Sequence, residues 1–118
     1  MIILSDSLIG LVALLHVYFL ILEMFFWAKP FGLRTFAHSQ ESANASKVLA
    51  MNQGLYNGFL AAGLIWGLSL GAAGYAIKLF FLSCVVIAGV FGGLTASRKI
   101  LFVQALPAII ALSLLLLI

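Results

Sequence analysis

Seven side chains in this sequence could do chemistry in a place where chemistry is unexpected: His16, Glu23, Asn52, Gln53, Tyr56, Asn57 and Gln104. All lie inside long apolar runs, where an ionisable or amide group is costly unless it faces a partner, a cavity or a site. A carboxyl group near an imidazole, amides and a phenol is equipped to hold the polar end of a lipophilic molecule or to move a proton on it. His16 and Glu23 stand seven residues apart, which at 100° per residue puts both on one helical stripe. Asn52 and Tyr56 project close together, with Gln53 and Asn57 about 100° further round, giving one broad polar arc.

Glu23 is the acidic residue set deepest in an apolar run, since Asp6 and Glu41 flank such runs. A carboxylate in hydrocarbon costs about 2.5–3.5 kcal/mol even on the lenient insertion scale, so Glu23 is expected to be neutral or paired. Arg98 matches it in depth and is the expected partner for an ion pair, unless the guanidinium extends to the headgroups instead. Counting ~1.5 Å per residue from the nearest lysine, Glu23 and Gln53 are each ~9 Å deep and Gln104 is ~7.5 Å deep. Asn57 and His16 come out at ~15 Å and ~20 Å. The matching depths predict that Glu23, Gln53 and Gln104 converge on one cavity near the cytoplasmic side.

The elements that must position these residues follow from composition. The chain has 118 residues, of which 65% are apolar and 8% charged, and its mean hydropathy is +1.28. Soluble domains run at about 45–50% apolar and about 25% charged, so a soluble fold, a disordered chain and a free nucleic-acid binder are excluded. The net charge of +3 sits in short segments between apolar runs, where it sets membrane orientation and offers nothing to nucleic acid.

Spanning ~30 Å of hydrocarbon takes about 20 helical residues. The sequence predicts an all-α integral membrane protein, a bundle of four transmembrane helices near residues 7–28, 47–70, 76–96 and 99–118, forming one domain over 1–118. Ser5 and Asp6 are expected to cap the first helix, residues 29–46 to form the one substantial loop, and Gly71 to Ala76 a tight turn. Lys29, Arg34, Lys47, Arg98 and Lys99 flank the first and third loops, while Lys78 alone borders the second. The positive-inside rule then places both termini on the non-cytoplasmic side.

Gly63, Gly67 and Gly71 repeat at four-residue spacing, as do Gly54 with Gly58 and Gly89 with Gly93. Such faces allow close helix approach, within the bundle or in a homo-oligomer. Trp27, Phe31 and Phe36 suit an interfacial aromatic belt. Cys84 lies alone in an apolar run, so no internal disulfide forms. Metal-ligand spacing, phosphate-binding loops and nucleophile elbows are absent from the sequence, which names no cofactor.

The run from His16 to Trp27 (HVYFLILEMFFW), then Phe36, then the run from Asn52 to Leu64 (NQGLYNGFLAAGL) closely resembles a bacterial family of small membrane proteins catalogued as domain of unknown function 1304. Ala88 to Gly92 (AGVFG) and Gln104 to Ala108 (QALPA) look like that family's later motifs. The likeness covers nearly the whole chain and implies four transmembrane helices in a bacterial inner membrane, with no established activity. A weaker likeness to membrane-associated eicosanoid and glutathione metabolism proteins stops at the fold, because acidic and arginine residues are missing beside Asn52.

Three functions compete. One is a pocket for a lipophilic small molecule or lipid, built from the seven polar residues, with or without catalysis. Another is a small oligomeric transporter using the His16–Glu23 stripe. The third is a structural or partner-binding membrane protein.

Overall fold

A computed structural model describes residues 1–118 and is helical throughout, with no strand. Five helices follow in order: α1 (Ile2–Phe26), α2 (Pro30–Phe36), α3 (Gln40–Ser69), α4 (Tyr75–Thr95) and α5 (Arg98–Leu117). Helices α1 and α5, and α4 with the 3₁₀ turn Gly71–Gly74 before it, are long and apolar enough to cross a membrane. α3 has the length at 30 residues but carries Asn52, Gln53, Tyr56 and Asn57, and it is not among these three apolar spans.

The helix boundaries depart from the sequence expectation at two places. α1 begins at Ile2, so Ser5 and Asp6 sit within the helix and cap nothing. The stretch expected as a loop is largely helical: α2 occupies Pro30–Phe36 and α3 starts at Gln40. Pro30 suits the first turn of α2, where its missing N–H is not needed. Ala37 ends that helix in the left-handed conformation at φ 52°, an uncommon task for a residue with a Cβ. α3 ends near Gly71, whose φ of 59° suits glycine.

Two single turns are π-helical, Leu22–Phe26 in α1 and Leu101–Ala105 in α5. Pro107 gives a cause for the second. It cannot donate to the carbonyl of Val103, and its ring crowds that carbonyl, so the preceding turn widens.

The chain divides into two compact units. The first comprises Met1–Leu15 and Leu60–Ile118. Its core is drawn from four helices: Ile9, Val12 and Ala13 of α1, Leu64 of α3, Leu82 and Val85 of α4, and Ala108, Ala111 and Leu115 of α5. Glycines set its tightest contacts. A Cβ on Gly89 would lie 2.8 Å from the backbone of Ala105, and one on Gly93 2.5 Å from the side chain of Leu101. Gly63 faces the ring of Phe81, and Gly67 faces Lys78. Ser97 caps α5, its hydroxyl accepting from the Lys99 amide at 3.2 Å. Ser83 and Thr95 return their hydroxyls to carbonyls of their own helix, at Leu79 and Phe91, as suits helices without water around them. Ile3, Leu14, Ile87, Phe91, Leu94 and Leu117 are among the many large apolar side chains left exposed, a surface fit for lipid and not for water.

The second unit is His16–Phe59. Along α3, Ala43, Ala50, Gly54 and Asn57 form a buried stripe at helical spacing. A ring cluster fixes α2 here. Trp27 packs against Phe36 and His38, with centroids 4.7 and 4.5 Å away, and its indole N–H donates to the Ser46 hydroxyl at 3.0 Å. Gln40 Nε2 donates to the Ala28 carbonyl at 3.0 Å, and a ring nitrogen of His38 lies 3.1 Å from the Trp27 carbonyl.

Candidate functional site

Six of the seven residues singled out by type and spacing, His16, Glu23, Asn52, Gln53, Tyr56 and Asn57, lie in the second unit. Gln104 belongs to the first. Within the second unit one pair meets: the side-chain amide of Asn57 donates from Nδ2 to Oε1 of Glu23.

Local structure explains the pairing. Glu23 is held in the π-helical turn of α1, and Asn57 lies on the buried small-residue stripe of α3. Gly54, almost one turn before Asn57, removes the obstacle between the two helices. A Cβ there would come within 2.7 Å of Met24 Cγ and 3.2 Å of both Glu23 Cβ and the Leu20 carbonyl oxygen. Gly58 makes similar room for the Leu20 side chain, at 2.6 Å. The glycine pair therefore serves contact within the chain, and the Glu23–Asn57 bond forms where it lets the helices close.

The depth count had matched Glu23 with Gln53. Asn57, four residues further along α3 and thus about 6 Å deeper, makes the bond instead. Equal distance from Lys29 and Lys47 is a poor ruler because neither lysine ends its helix at a common level: α3 already starts at Gln40. Gln53, with Asn52 and Tyr56, lies on the exposed face of α3, and Tyr56 is 57% exposed. Tyr56 meets Phe59 at 6.0 Å between ring centroids.

His16 is fully buried and engaged, with the Phe19 ring edge-on at 5.3 Å. Glu23 as a residue is partly buried, and its carboxyl group accepts the bond from Asn57. Arg98 is exposed at the start of α5, in the first unit. Gln104 is half-buried and engaged, in the second π-helical turn. Both π turns thus carry a polar residue inside an apolar span.

Two features went unforeseen in the sequence. His38 completes the Trp27 ring cluster, and the spacing of Trp27, Phe36 and His38 around a short amphipathic segment was the available signal. The ion pair that forms joins Lys78 to Asp6 at 3.2 Å. No group of three or more His, Cys, Asp or Glu side chains comes together as a metal site would need.

The family described as protein of unknown function (DUF1304) matches over residues 10–116. The uncharacterized protein YpaA of Lactococcus lactis subsp. lactis (strain IL1403) is 35% identical over 104 residues, covering 86% of this chain and 87% of that one. No solved structure matches the chain. With the match running through almost its entire length, the chain belongs to the DUF1304 family of proteins of unknown function.

Proposed function

We propose that this protein is a four-crossing integral membrane protein, one domain over 1–118, that holds the polar end of a lipophilic small molecule or lipid through Glu23 and the polar side chains of α3. The observation that carries this reading is the Glu23–Asn57 hydrogen bond inside an apolar stretch, at a glutamate that is only partly buried. Away from the buried stripe that meets Glu23, Asn52, Gln53 and Tyr56 present two amides and a phenol on the exposed part of α3, the composition a ligand headgroup needs. The π-helical turn at Glu23 supports the same reading, since such turns recur at functional sites.

In this reading α3 is the fourth crossing. Its 30 residues reach about 45 Å, enough to span the hydrocarbon despite the polar arc, which then faces ligand. Both termini lie on the non-cytoplasmic side of a bacterial inner membrane. Lys78, the one basic residue expected on that side, is buried and paired with Asp6, so it adds no free charge against the positive-inside rule.

The test is ligand retention. Wild-type protein and Glu23→Gln are purified in the same detergent, and co-purifying lipophilic molecules are extracted and identified by mass spectrometry beside a melting curve. The expected result is a folded variant that has lost a molecule retained by the wild type. Identical extracts from two equally folded proteins overturn the proposal.

The exposed amides favour one alternative, a structural role in which Asn52 and Gln53 bond a partner chain. It predicts a change of oligomeric state in Asn52→Leu/Gln53→Leu, with retained molecules unchanged.

A further inference from the structure

Away from the residues of the proposed pocket, the first unit contains a cavity of about 190 Å³ that holds a charged pair. Its walls include Ile2, Asp6, Tyr75, Lys78, Leu115 and Ile118, together with the turn after α3. Lys78 and Asp6 face each other there, with Nζ donating to Oδ1 at 3.2 Å.

The two partners are unequally satisfied. The Lys78 side chain is only 7% exposed, and its one hydrogen bond is to Asp6, which leaves two of three ammonium protons unmatched in a buried position. Asp6 is 37% exposed and its second carboxylate oxygen accepts from no protein donor. A buried ammonium seeks further acceptors, and a half-open carboxylate can take another donor. The complementary ligand carries both signs: an oxyacid anion for Lys78 and, a short linker away, an ammonium group for Asp6.

Position and size narrow the class. The apolar span of α1 begins at Ile2, that of α4 begins at Gly71, and α5 ends at Leu117. Residues from all three ends line the cavity, so it sits where these spans meet the headgroup layer. At about 190 Å³ it is smaller than the ~300–1,000 Å³ pockets that enclose a whole drug-sized ligand, so an occupant inserts a compact polar group and leaves its bulk outside. Ile2 and Ile118, both exposed, offer that bulk apolar side chains.

We propose that the Asp6–Lys78 cavity binds a phosphoethanolamine group, with the phosphate on Lys78 and the primary ammonium on Asp6, presented by an aminophospholipid. The carboxylate distinguishes this ligand from phosphatidylglycerol, which lacks the ammonium, and from a choline lipid, whose quaternary nitrogen has no proton to donate.

The test uses the full chain in a nonionic detergent, with melting temperature followed against concentration of short-chain phosphatidylethanolamine, phosphatidylglycerol and phosphatidylcholine, and of free O-phosphoethanolamine. Phosphatidylethanolamine is expected to protect at a concentration at least tenfold below that of the other two lipids. Asp6→Asn keeps an oxygen beside Lys78 and should weaken phosphatidylethanolamine about tenfold while leaving phosphatidylglycerol unchanged. Asp6→Asn/Lys78→Met, which removes both charges together, should lose protection by every probe. Free O-phosphoethanolamine protecting as well as the lipid supports the site and assigns it a soluble source. Equal protection by all three lipids, or undiminished phosphatidylethanolamine protection in Asp6→Asn, overturns the proposal. If the double variant fails to fold, Asp6→Asn alone decides.

Discussion

Asn57 on α3 donates a hydrogen bond to Glu23 in the π-helical turn of α1, joining residues 34 positions apart in the sequence. The bond ties two helices through side chains that would each be costly alone among apolar neighbours. Removing the donor should therefore be worse than replacing the acceptor. Asn57→Ala leaves the Glu23 carboxyl group without its protein partner and is expected to destabilise by about 1–3 kcal/mol. Glu23→Gln still offers an oxygen to Asn57 and should stay within about 1 kcal/mol of wild type. Melting curves of the two variants in one detergent check the order, and a larger loss in Glu23→Gln would show that charge, not the hydrogen bond, holds the pair.

Gly54 sets the distance at which that pair can form. A methyl group there meets Met24 Cγ, Glu23 Cβ and the Leu20 carbonyl oxygen together, and only the Met24 side chain can yield cheaply. Gly54→Ala is expected to destabilise by about 1–3 kcal/mol. Combined with Glu23→Ala, which removes the pair, the loss should be less than additive in a double-mutant cycle. Full additivity would separate the glycine from the hydrogen bond.

Gly89 and Gly10 make a controlled comparison within α1 and α4. A Cβ on Gly89 would fall 2.8 Å from the Ala105 backbone, whereas one on Gly10 meets nothing within 4 Å. Gly89→Ala should lower stability by about 1–3 kcal/mol and Gly10→Ala should lower it not at all. Unfolding in a denaturing detergent titration reads the difference.

Ala37 holds the left-handed position after α2, at φ 52°. A Cβ in that conformation costs roughly 1–2 kcal/mol, and glycine escapes it. Ala37→Gly is expected to stabilise the chain by about 1 kcal/mol, since part of the relief is offset by a freer unfolded chain. Slower proteolysis at residues 37–39 in the variant is the matching local readout.

The proposed topology predicts labelling from opposite sides. With Cys84 replaced by serine, a single cysteine at Ala73 should react with an impermeant maleimide applied to intact cells. One at Ser39 should react only after the inner membrane is opened. The reverse pattern would invert the orientation, and labelling of both from outside would remove α3 as a crossing.

What the sequence by itself determined is the membrane character and the all-helical state. With so few charges over 118 residues, no arrangement could cover the surface with polar groups, and helices satisfy their backbone without water. It also marked Glu23 and Asn57 as residues out of place, because their chemistry conflicts with the apolar runs around them. Tertiary structure decided which out-of-place groups meet. Depth counted along each helix needs a shared origin, and α3 begins at Gln40, well before the apolar run, so Asn57 and not Gln53 reaches Glu23. The π turns were equally hidden, since α and π turns differ by one residue in the hydrogen-bond partner and share the same sequence pattern. Asp6 and Lys78 show the limit most plainly. They stand 72 residues apart, each at the edge of a different apolar span, and each could have been a solvated charge. Only the tertiary fold of the first unit, with Gly67 leaving room for the lysine stem, pairs them, the lysine buried and the aspartate half-open. Residue type limits which contacts a chain can tolerate, but the choice among them depends on distances between separate helices, which no local pattern encodes.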